Sequence, residues 1–322
     1  MKQVNIAILG YGVIGKGVFQ ICQNNPMITV KRILERKEKF DQTHIELFTD
    51  NYEDIFNDES IDLVVEVLGG YDFAKKMIIN SLEHKKHVVT ANKEVIAKDI
   101  DQLIELASQN NVAIAYEASV GGGIPIIKNL KQLKKLNKIT KISGILNGTT
   151  NFILTKMFEG QSFNDALVEA QRLGFAEADP TADLEGYDMM RKIAILSDLA
   201  WDTFIDINLI KQTGIKNITS EDVLKAKEND MVIKFVCESV IKENNIEISV
   251  EPKWLPNTHF FNNVNNEFNA VILETYPNDT LTFIGKGAGS LPTASAIVLD
   301  IIDIVEENHL NNYQNINNYK IN

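Results

Sequence analysis

A glycine pattern near the amino terminus limits the possible folds more than any other feature of the chain. Residues 10–15 read Gly-Tyr-Gly-Val-Ile-Gly, between the strand-like segment Ile6–Leu9 and a helical pattern over Val13–Gln23. In this context the first glycine permits a tight turn, the second lets a ligand approach the backbone, and the third lets helix and strand pack closely. The helix N-terminus then offers N–H groups and partial positive charge to phosphates. The pattern favours a dinucleotide site; a glycine turn without a ligand, or a site for another nucleotide, is the alternative.

The first third of the chain alternates short apolar segments with helical patterns. The strand-like segments are Ile6–Leu9, Thr29–Leu34, Leu63–Val67, His87–Thr90 and Val112–Tyr116. Helical patterns separate them, for example at Asp72–His84 and Ile100–Gln109. Such alternation predicts an α/β domain with a doubly wound parallel sheet of the Rossmann type.

The pattern changes after about residue 130, and it predicts a second domain of the α+β class. The strand-like segments there are Ile139–Leu146, Val232–Val236, Ile246–Val250, Asn269–Glu274 and Leu281–Ile284, with helices between 151 and 199. A glycine-rich turn at 285–289 precedes an amphipathic helix from about Thr293 to Glu306. One interpretation of this turn is a simple loop with a helix cap; the alternative is that the helix returns to the first domain and lines the cofactor cleft. We therefore expect a dinucleotide domain over 1–130, completed by 285–307, a second domain over 131–284, and a polar tail over 308–322.

Composition and charge disfavour several classes of protein. The 32 Lys and Arg residues against 44 Asp and Glu residues give a net charge of −12, which disfavours a nucleic-acid partner. We interpret the lysines at 128–141 as a solvated helix face. The chain shows neither a signal-peptide layout nor the roughly 18 apolar residues of a membrane span. Cys22 and Cys237 form no CxxC pair, and the five histidines lack metal spacing. We expect a cytoplasmic protein with no membrane partner.

An acidic segment in the middle of the chain is the strongest candidate for chemistry. Residues 177–188 hold five carboxylates, and Asp188 and Lys192, four residues apart, share one face of a helix. A plain surface ion pair is the alternative. However, the apolar run 193–196 follows, so we expect Lys192 to border buried surface. Burial lowers a lysine pKa and suits it to proton transfer with an alcohol oxygen, while the carboxylates could hold a substrate ammonium.

Three turns carry polar or flexible residues where strand patterns end. Lys93 follows Thr90 at the sheet edge that faces the ligand crevice in open α/β folds, although it could be a surface lysine. Glu117 precedes the glycines at 121–123, which could present oxygens to a hard cation or form a hinge. The turn at 147–151 could bind a substrate carboxylate through N–H groups, or could simply cap a helix.

Two adjacent residues leave the choice between NAD and NADP open. Glu35 stands 20 residues after the last glycine of the turn, where an acid would accept the ribose 2′-hydroxyl of NAD. Arg36 and Lys37 follow directly, and either could pair with the 2′-phosphate of NADP. Because a shift of one residue turns a side chain to the opposite face of a strand, the sequence does not decide between them.

Taken together, these segments resemble the homoserine dehydrogenase family from Ile6 to about Asp303. The segments that carry the resemblance are GYGVIGKGV, VVTANKE, YEASVGGGIP, SGILNGTTNFIL, GFAEADPTADLEGYDMMRKIAILS and LTFIGKGAGSLPTASA. The resemblance implies a reversible reduction of L-aspartate 4-semialdehyde to L-homoserine, in threonine and methionine biosynthesis. It also implies NADP(H) as the preferred cofactor, with NAD(H) possible, a monovalent cation (Na⁺), and a homodimer formed by the second domain.

The resemblance also implies roles for individual residues. Lys192 would be the catalytic proton donor and acceptor, with Asp188 orienting the substrate and supporting the charge on Lys192. The implied dinucleotide contacts are Gly10, Gly12, Val13, Ile14, Gly15, Arg36, Thr90, Lys93 and Gly287. The implied substrate contacts are Glu177, Asp188, Gly148 and Thr149, and the implied cation ligands are Glu117, Val120, Gly122 and Ile124.

The sequence departs from the family in two further respects. Members often carry another acid where Ala182 stands, and many bacterial members add a C-terminal regulatory ACT domain. We therefore expect little or no threonine feedback through such a domain. Two other classes stay open: a Rossmann oxidoreductase acting on another amino acid, which would oxidise NAD(P)H with a keto acid and ammonia, and a non-catalytic dinucleotide sensor, which would need no proton donor.

Overall fold

A computed structural model describes residues 3–243, 245–306 and 320–321 of the chain. The chain divides into two compact units, with divisions between Gly123 and Ile124 and between Gly287 and Ala288. The first unit thus contains the amino-terminal residues and the helix after Ala288. The second contains the residues between the two divisions, together with the described pair Lys320–Ile321.

The described strands are β1 (Val4–Leu9), β2 (Ile28–Leu34), β3 (Phe48–Thr49), β4 (Leu63–Glu66), β5 (His87–Thr90), β6 (Ile114–Ala115), β7 (Lys138–Ile145), β8 (Lys211–Gln212), β9 (Met231–Lys242), β10 (Asn245–Pro256), β11 (Phe268–Tyr276), β12 (Asp279–Lys286) and β13 (Lys320–Ile321). The α-helices are α1 (Val13–Gln23), α2 (Glu53–Phe56), α3 (Asp72–Glu83), α4 (Lys93–Gln109), α5 (Ile126–Leu133), α6 (Gly148–Phe158), α7 (Phe163–Arg172), α8 (Thr181–Leu184), α9 (Tyr187–Trp201), α10 (Ser220–Glu228) and α11 (Ser290–Val305). Short 3₁₀ turns lie at Lys37–Lys39, Gln42–Leu47, Glu117–Ser119, Ile207–Leu209 and Phe260–Asn263.

The first unit is built on a parallel sheet with the strand order β3-β2-β1-β4-β5-β6. The order reverses between β1 and β4, because the chain first adds strands on one side of β1 and then on the other. In open α/β sheets, ligands bind at the carboxyl ends of the strands beside such a switch point. The predicted Rossmann-type doubly wound sheet is confirmed.

Alternate residues of β1 explain why helices cover both faces of this sheet. Ile6 and Ile8 lie in one buried cluster, which also holds Ile297 of α11. Ala7 and Leu9 lie in the cluster on the opposite face. Because successive strand residues point to opposite faces, an uninterrupted apolar strand requires apolar cover on both.

Two helices begin earlier than the apolar periodicity predicted. Helix α4 begins at Lys93 because the Asn92 side chain accepts hydrogen bonds from the N–H groups of Glu94 and Val95. Helix α11 begins at Ser290. The cap at Asn92 sets the start of α4 through backbone hydrogen bonds, which an apolar pattern does not report.

The second unit contains a mixed sheet in the order β12-β11-β7-β9-β10-β13, with β8 also paired to β10. Along the long strands β12, β11, β7, β9 and β10, each strand is antiparallel to its neighbours, whereas β8 and β13 run parallel to β10. The predicted α+β class of this part of the chain is confirmed. The two-residue strands β3 and β8 are too short to show a periodic pattern in the sequence.

No helix in the described ranges is long and apolar enough to cross a membrane. The predicted polar tail, 308–322, lies outside the described residues except for the pair Lys320–Ile321 in β13.

Helix α11 should contribute strongly to the stability of the first unit. Ile297→Ala removes a side chain with 0% exposure, and we expect a loss of about 2–5 kcal/mol in the free energy of unfolding. Leu299→Ala, in the same helix but 55% exposed, should change it by about 0.5 kcal/mol or less. Urea unfolding of both variants measures the difference, and equal losses would contradict the packing of α11 described above.

Candidate active site

The turn between β1 and α1 has the geometry that close approach of a ligand requires. A Cβ atom on Gly15 would lie 2.1 Å from the carbonyl oxygen of Gly10, so no side chain fits there. A Cβ atom on Gly12 would meet nothing within 4 Å, so the backbone borders open space at the start of α1. Val13 is 72% exposed in the first turn of the helix. These residues fit a dinucleotide, whose phosphates need both an approachable backbone and a helix N-terminus.

The Glu35 carboxylate, just after β2, is held by two backbone groups. Its two oxygens accept hydrogen bonds from the N–H groups of Tyr11, at 3.1 Å, and Arg36, at 2.9 Å. Burial opposes ionisation of Glu35, but the bonds from Arg36 and Tyr11 outweigh it, so the pKa of this carboxyl lies below its usual range. The Arg36 side chain is 68% exposed. Glu35 thus supports the glycine turn, while Arg36 extends into solvent.

Lys93 begins α4 directly after a hydrogen-bonded turn at the carboxyl end of β5. The Thr90 hydroxyl donates to Glu66 Oε2 at 2.5 Å, and the Asn92 side chain caps the helix. Glu66, at the end of β4, has 0% exposure, and its other carboxylate oxygen accepts from the N–H of Leu68 at 2.7 Å. Burial raises the pKa of Glu66 to about 7 against the opposing effect of these bonds. Sequence reasoning did not select Glu66, because it stands in an apolar strand with no motif around it.

In the second unit, α9 presents the candidate catalytic pair. Lys192 Nζ lies 2.8 Å from Asp188 Oδ2 and donates to the carbonyl oxygen of Leu146 at 2.7 Å. The side chains are 9% and 5% exposed, so the alternative of a plain surface ion pair is excluded, and Lys192 lies among buried residues as expected. The chain can turn sharply where it enters α9 because the residue before the helix, Gly186, adopts a left-handed conformation with a φ of 89°. A buried lysine beside a carboxylate can donate a proton as the ammonium and accept one as the neutral amine.

Two residues that sequence reasoning did not single out join this pair. The Asn147 side-chain amide donates to Asp188 Oδ2 at 2.9 Å and to Asp183 Oδ1 at 2.7 Å. Burial, followed by the charge of Asp188, raises the pKa of Asp183. Asp183 lies five residues before Asp188, which is not a helical neighbour spacing, and only the break between α8 and α9 brings the two acids to one amide.

The turn before α6 lies beside the same cluster. Leu146 and Asn147 precede Gly148, the first residue of α6, and the Asn147 side chain accepts from the N–H of Thr150. The Thr149 hydroxyl donates to the carbonyl oxygen of Phe175 at 2.6 Å. The start of α6 therefore offers backbone N–H groups near an ordered acidic cluster, which suits a ligand that carries both a carboxylate and an ammonium group.

Glu177 is more exposed than the predicted substrate residues Asp188 and Thr149. It is exposed, and its backbone carbonyl accepts from the Gln171 side chain.

The predicted cation ligands divide between the two units. In the first unit, Glu117 is 6% exposed, and its N–H donates to Asp300 Oδ2 at 2.8 Å. Val120 and Gly122 are buried in the turn that follows. Ile124 belongs to the second unit. A carboxylate with backbone carbonyls is a donor set that suits a hard cation. The described residues contain no cluster of three or more His, Cys, Asp or Glu side chains arranged to hold a metal.

Gly287 also belongs to the second unit, where it packs against Asn269. A Cβ atom on Gly287 would lie 2.0 Å from the Asn269 amide nitrogen, so the position excludes a side chain.

Models of two protein families match the chain. The model described as homoserine dehydrogenase matches residues 125–302, and the model described as homoserine dehydrogenase, NAD binding domain matches residues 10–117. The two matches follow each other in the chain and together include the glycine turn and the Asp188–Lys192 pair.

Individual relatives agree with the family models. The chain is 40% identical to the homoserine dehydrogenase of Bacillus subtilis over 96% of its own length and 75% of the relative. Its fold matches a homoserine dehydrogenase crystal structure from Thiobacillus denitrificans with a TM-score of 0.91 and 36% identity, covering 99% of this chain and 77% of that one. A hyperthermophilic archaeal homoserine dehydrogenase in complex with NADPH matches with a TM-score of 0.82 and 26% identity, covering 98% of this chain and 100% of that one. The chain therefore belongs to the homoserine dehydrogenase family of NAD(P)-dependent oxidoreductases.

Proposed function

We propose that Lys192 is the proton donor and acceptor when this chain interconverts L-aspartate 4-semialdehyde and L-homoserine. The observation that carries this proposal is the buried ion pair of Lys192 with Asp188, completed by the Leu146 carbonyl. The nicotinamide supplies or accepts the hydride when the dinucleotide is bound. Lys192, as an ammonium, polarises the carbonyl oxygen and protonates it as the alcohol forms. Asp188 holds the ammonium in position and stabilises its charge.

The same cluster supports a binding mode for the amino-acid part of the substrate. We propose that Asp188 and Glu177, together with Asp183, bind the substrate ammonium. The N–H groups of Gly148 and Thr149, at the start of α6, bind its carboxylate. Asp183 joins this set because Asn147 ties it to Asp188 through two hydrogen bonds. A substrate with both charges would then fix its aldehyde carbon relative to Lys192.

For the cofactor, we propose a preference for NADP(H), with NAD(H) as a possible alternative. Both oxygens of Glu35 already accept backbone hydrogen bonds, which makes this carboxylate a weaker partner for a ribose 2′-hydroxyl. The exposed Arg36 guanidinium can pair with a 2′-phosphate. An NADPH complex of an archaeal relative is consistent with this choice. The other proposed dinucleotide contacts are Gly10, Gly12, Val13, Ile14, Gly15, Thr90, Lys93 and Gly287.

We further propose a cation site, a homodimer and a cytoplasmic location. Glu117, with the carbonyls of Val120, Gly122 and Ile124, would hold a monovalent cation, with Na⁺ as the expected ion. The first unit would bind the dinucleotide, and the second would bind the substrate and form the dimer.

Initial rates of NADPH oxidation by the purified protein with L-aspartate 4-semialdehyde test the function. We expect turnover, and a higher rate in sodium than in choline buffer at matched ionic strength, because the cation would order the Glu117 turn. Absence of turnover with both NADPH and NADH, in folded protein that binds dinucleotide, would overturn the proposed reaction. Equal rates in the two buffers would contradict the sodium site alone.

Replacement of the candidate proton donor gives a second prediction. Lys192→Ala should lower kcat by about 10²–10⁴-fold, because the alcohol oxygen loses its general acid. The Kd for NADPH should change by no more than about twofold, since Lys192 belongs to the substrate-binding unit. The control is Lys225→Ala. Lys225 is exposed and follows Glu221 by four residues, as Lys192 follows Asp188, and its Nζ lies 2.8 Å from Glu221 Oε1. Near-normal turnover by Lys192→Ala would remove Lys192 from the mechanism.

The choice of cofactor gives a third prediction. Arg36→Ala should lower kcat/KM with NADPH about tenfold or more, because one charge-assisted contact to the 2′-phosphate is lost. The value with NADH should remain within about threefold. Lys37→Ala, at the neighbouring position and 74% exposed, is the control for a general loss of positive charge. If Arg36→Ala lowers kcat/KM equally with both cofactors, Arg36 does not bind the 2′-phosphate.

A further inference from the structure

Glu66 is a buried acid in the first unit that the reaction itself does not use. As the last residue of β4, it pairs in register with Leu9 of β1 on one side and with Thr90 of β5 on the other. It therefore lies beside the switch point of the sheet, below the glycine turn that follows β1. Burying a carboxylate costs free energy unless its oxygens are hydrogen-bonded, and each oxygen of Glu66 accepts a hydrogen bond.

These bonds connect Glu66 to the loops that follow two strands. The Thr90 hydroxyl donates to Glu66, and the Thr90 oxygen in turn accepts from the N–H of Asn92 at 2.9 Å. Asn92 caps α4 and donates from its side-chain amide to the carbonyl oxygen of Gly70 at 2.8 Å. The N–H of Leu68 closes the network on the other carboxylate oxygen. One side chain thus joins the loop after β4 to the turn that carries Lys93.

The chemistry of this network calls for a carboxylate in particular. Both oxygens of Glu66 act as acceptors, one for a hydroxyl and one for a backbone N–H. A glutamine of the same shape offers only one acceptor, so one of these two donors would lose its bond. An apolar side chain would leave both donors without partners. The network is therefore sensitive to changes that preserve the volume of the side chain.

We propose that Glu66 is a positioning residue for dinucleotide binding, which acts through Thr90 and Asn92 to fix the start of α4 and the loop after β4. It does not touch the cofactor. This inference rests on the proposed role of Thr90 and Lys93 in binding the dinucleotide. Replacing Glu66 should therefore weaken the binding of NADPH, because the network positions the loops at the sheet edge where the dinucleotide is proposed to bind.

Glu66→Gln tests the proposal, with Glu59→Gln as the matched control. Glu59 is an exposed acid shortly before β4, at the opposite end of the strand. We expect Glu66→Gln to raise the Kd and KM for NADPH about tenfold, with kcat at saturating NADPH and KM for the semialdehyde within about twofold. A variant that merely folds less well would lose active protein, so kcat would fall while KM for NADPH stayed the same. That second pattern would overturn the proposal.

A second pair of variants keeps the test informative if Glu66→Gln does not fold. Thr90→Ser retains the hydroxyl that donates to Glu66, whereas Thr90→Val removes it at nearly constant volume. Thr90→Val should bind NADPH about tenfold more weakly than Thr90→Ser, measured by NADPH fluorescence titration. Equal affinities of the two variants would overturn the proposal. Absence of turnover in the wild-type protein would instead overturn the proposed function, so the two failures are distinguishable.

Discussion

The buried ion pair of Lys192 and Asp188 is the interaction on which the candidate active site depends. Removing two charges from water is unfavourable, and the attraction between them offsets this only when the remaining donors and acceptors are satisfied. Here the Leu146 carbonyl and the Asn147 amide complete the set. The pair therefore ties α9 to the turn between β7 and α6. The same contacts that stabilise the charges also place the turn proposed to bind the substrate carboxylate.

In the first unit, the corresponding constraint is that buried polar groups at the carboxyl edge of the parallel sheet need hydrogen-bond partners. Polar groups at the ends of β4 and β5 are buried, so they must satisfy one another, and Glu66 and Thr90 do so at 2.5 Å. At the end of β2, Glu35 is bonded to the backbone of the glycine turn in the same way. These bonds join loops at the edge where a dinucleotide is expected.

Much of the fold could be predicted because apolar periodicity follows directly from which faces are buried. Strands β1, β2, β4, β5 and β6 and helix α1 were predicted within about two residues, whereas β3 was not predicted and α4 extends seven residues before its predicted start at 100. The helix start depended on a side-chain cap at Asn92, which periodicity does not report. Within the site, the spacing of Asp188 and Lys192 was sufficient to predict their pairing on one helix face. The roles of Asn147 and Asp183 were not predicted. Asn147 is distant in the sequence from both acids that it contacts, and a break between α8 and α9 separates Asp183 from Asp188.

The sequence by itself determined the two fold classes, the glycine turn and the family, because these depend on local spacing and on the order of motifs along the chain. It also determined that Lys192 and Asp188 meet, since a helix brings residues four apart to the same face. Only the tertiary structure decided how deeply that pair is buried and which oxygens surround it. It likewise decided that Glu66 joins two loops and that Glu35 bonds to the backbone of the glycine turn. Burial and hydrogen-bond partners are set by strand register and packing, and these bring together residues that no local pattern links.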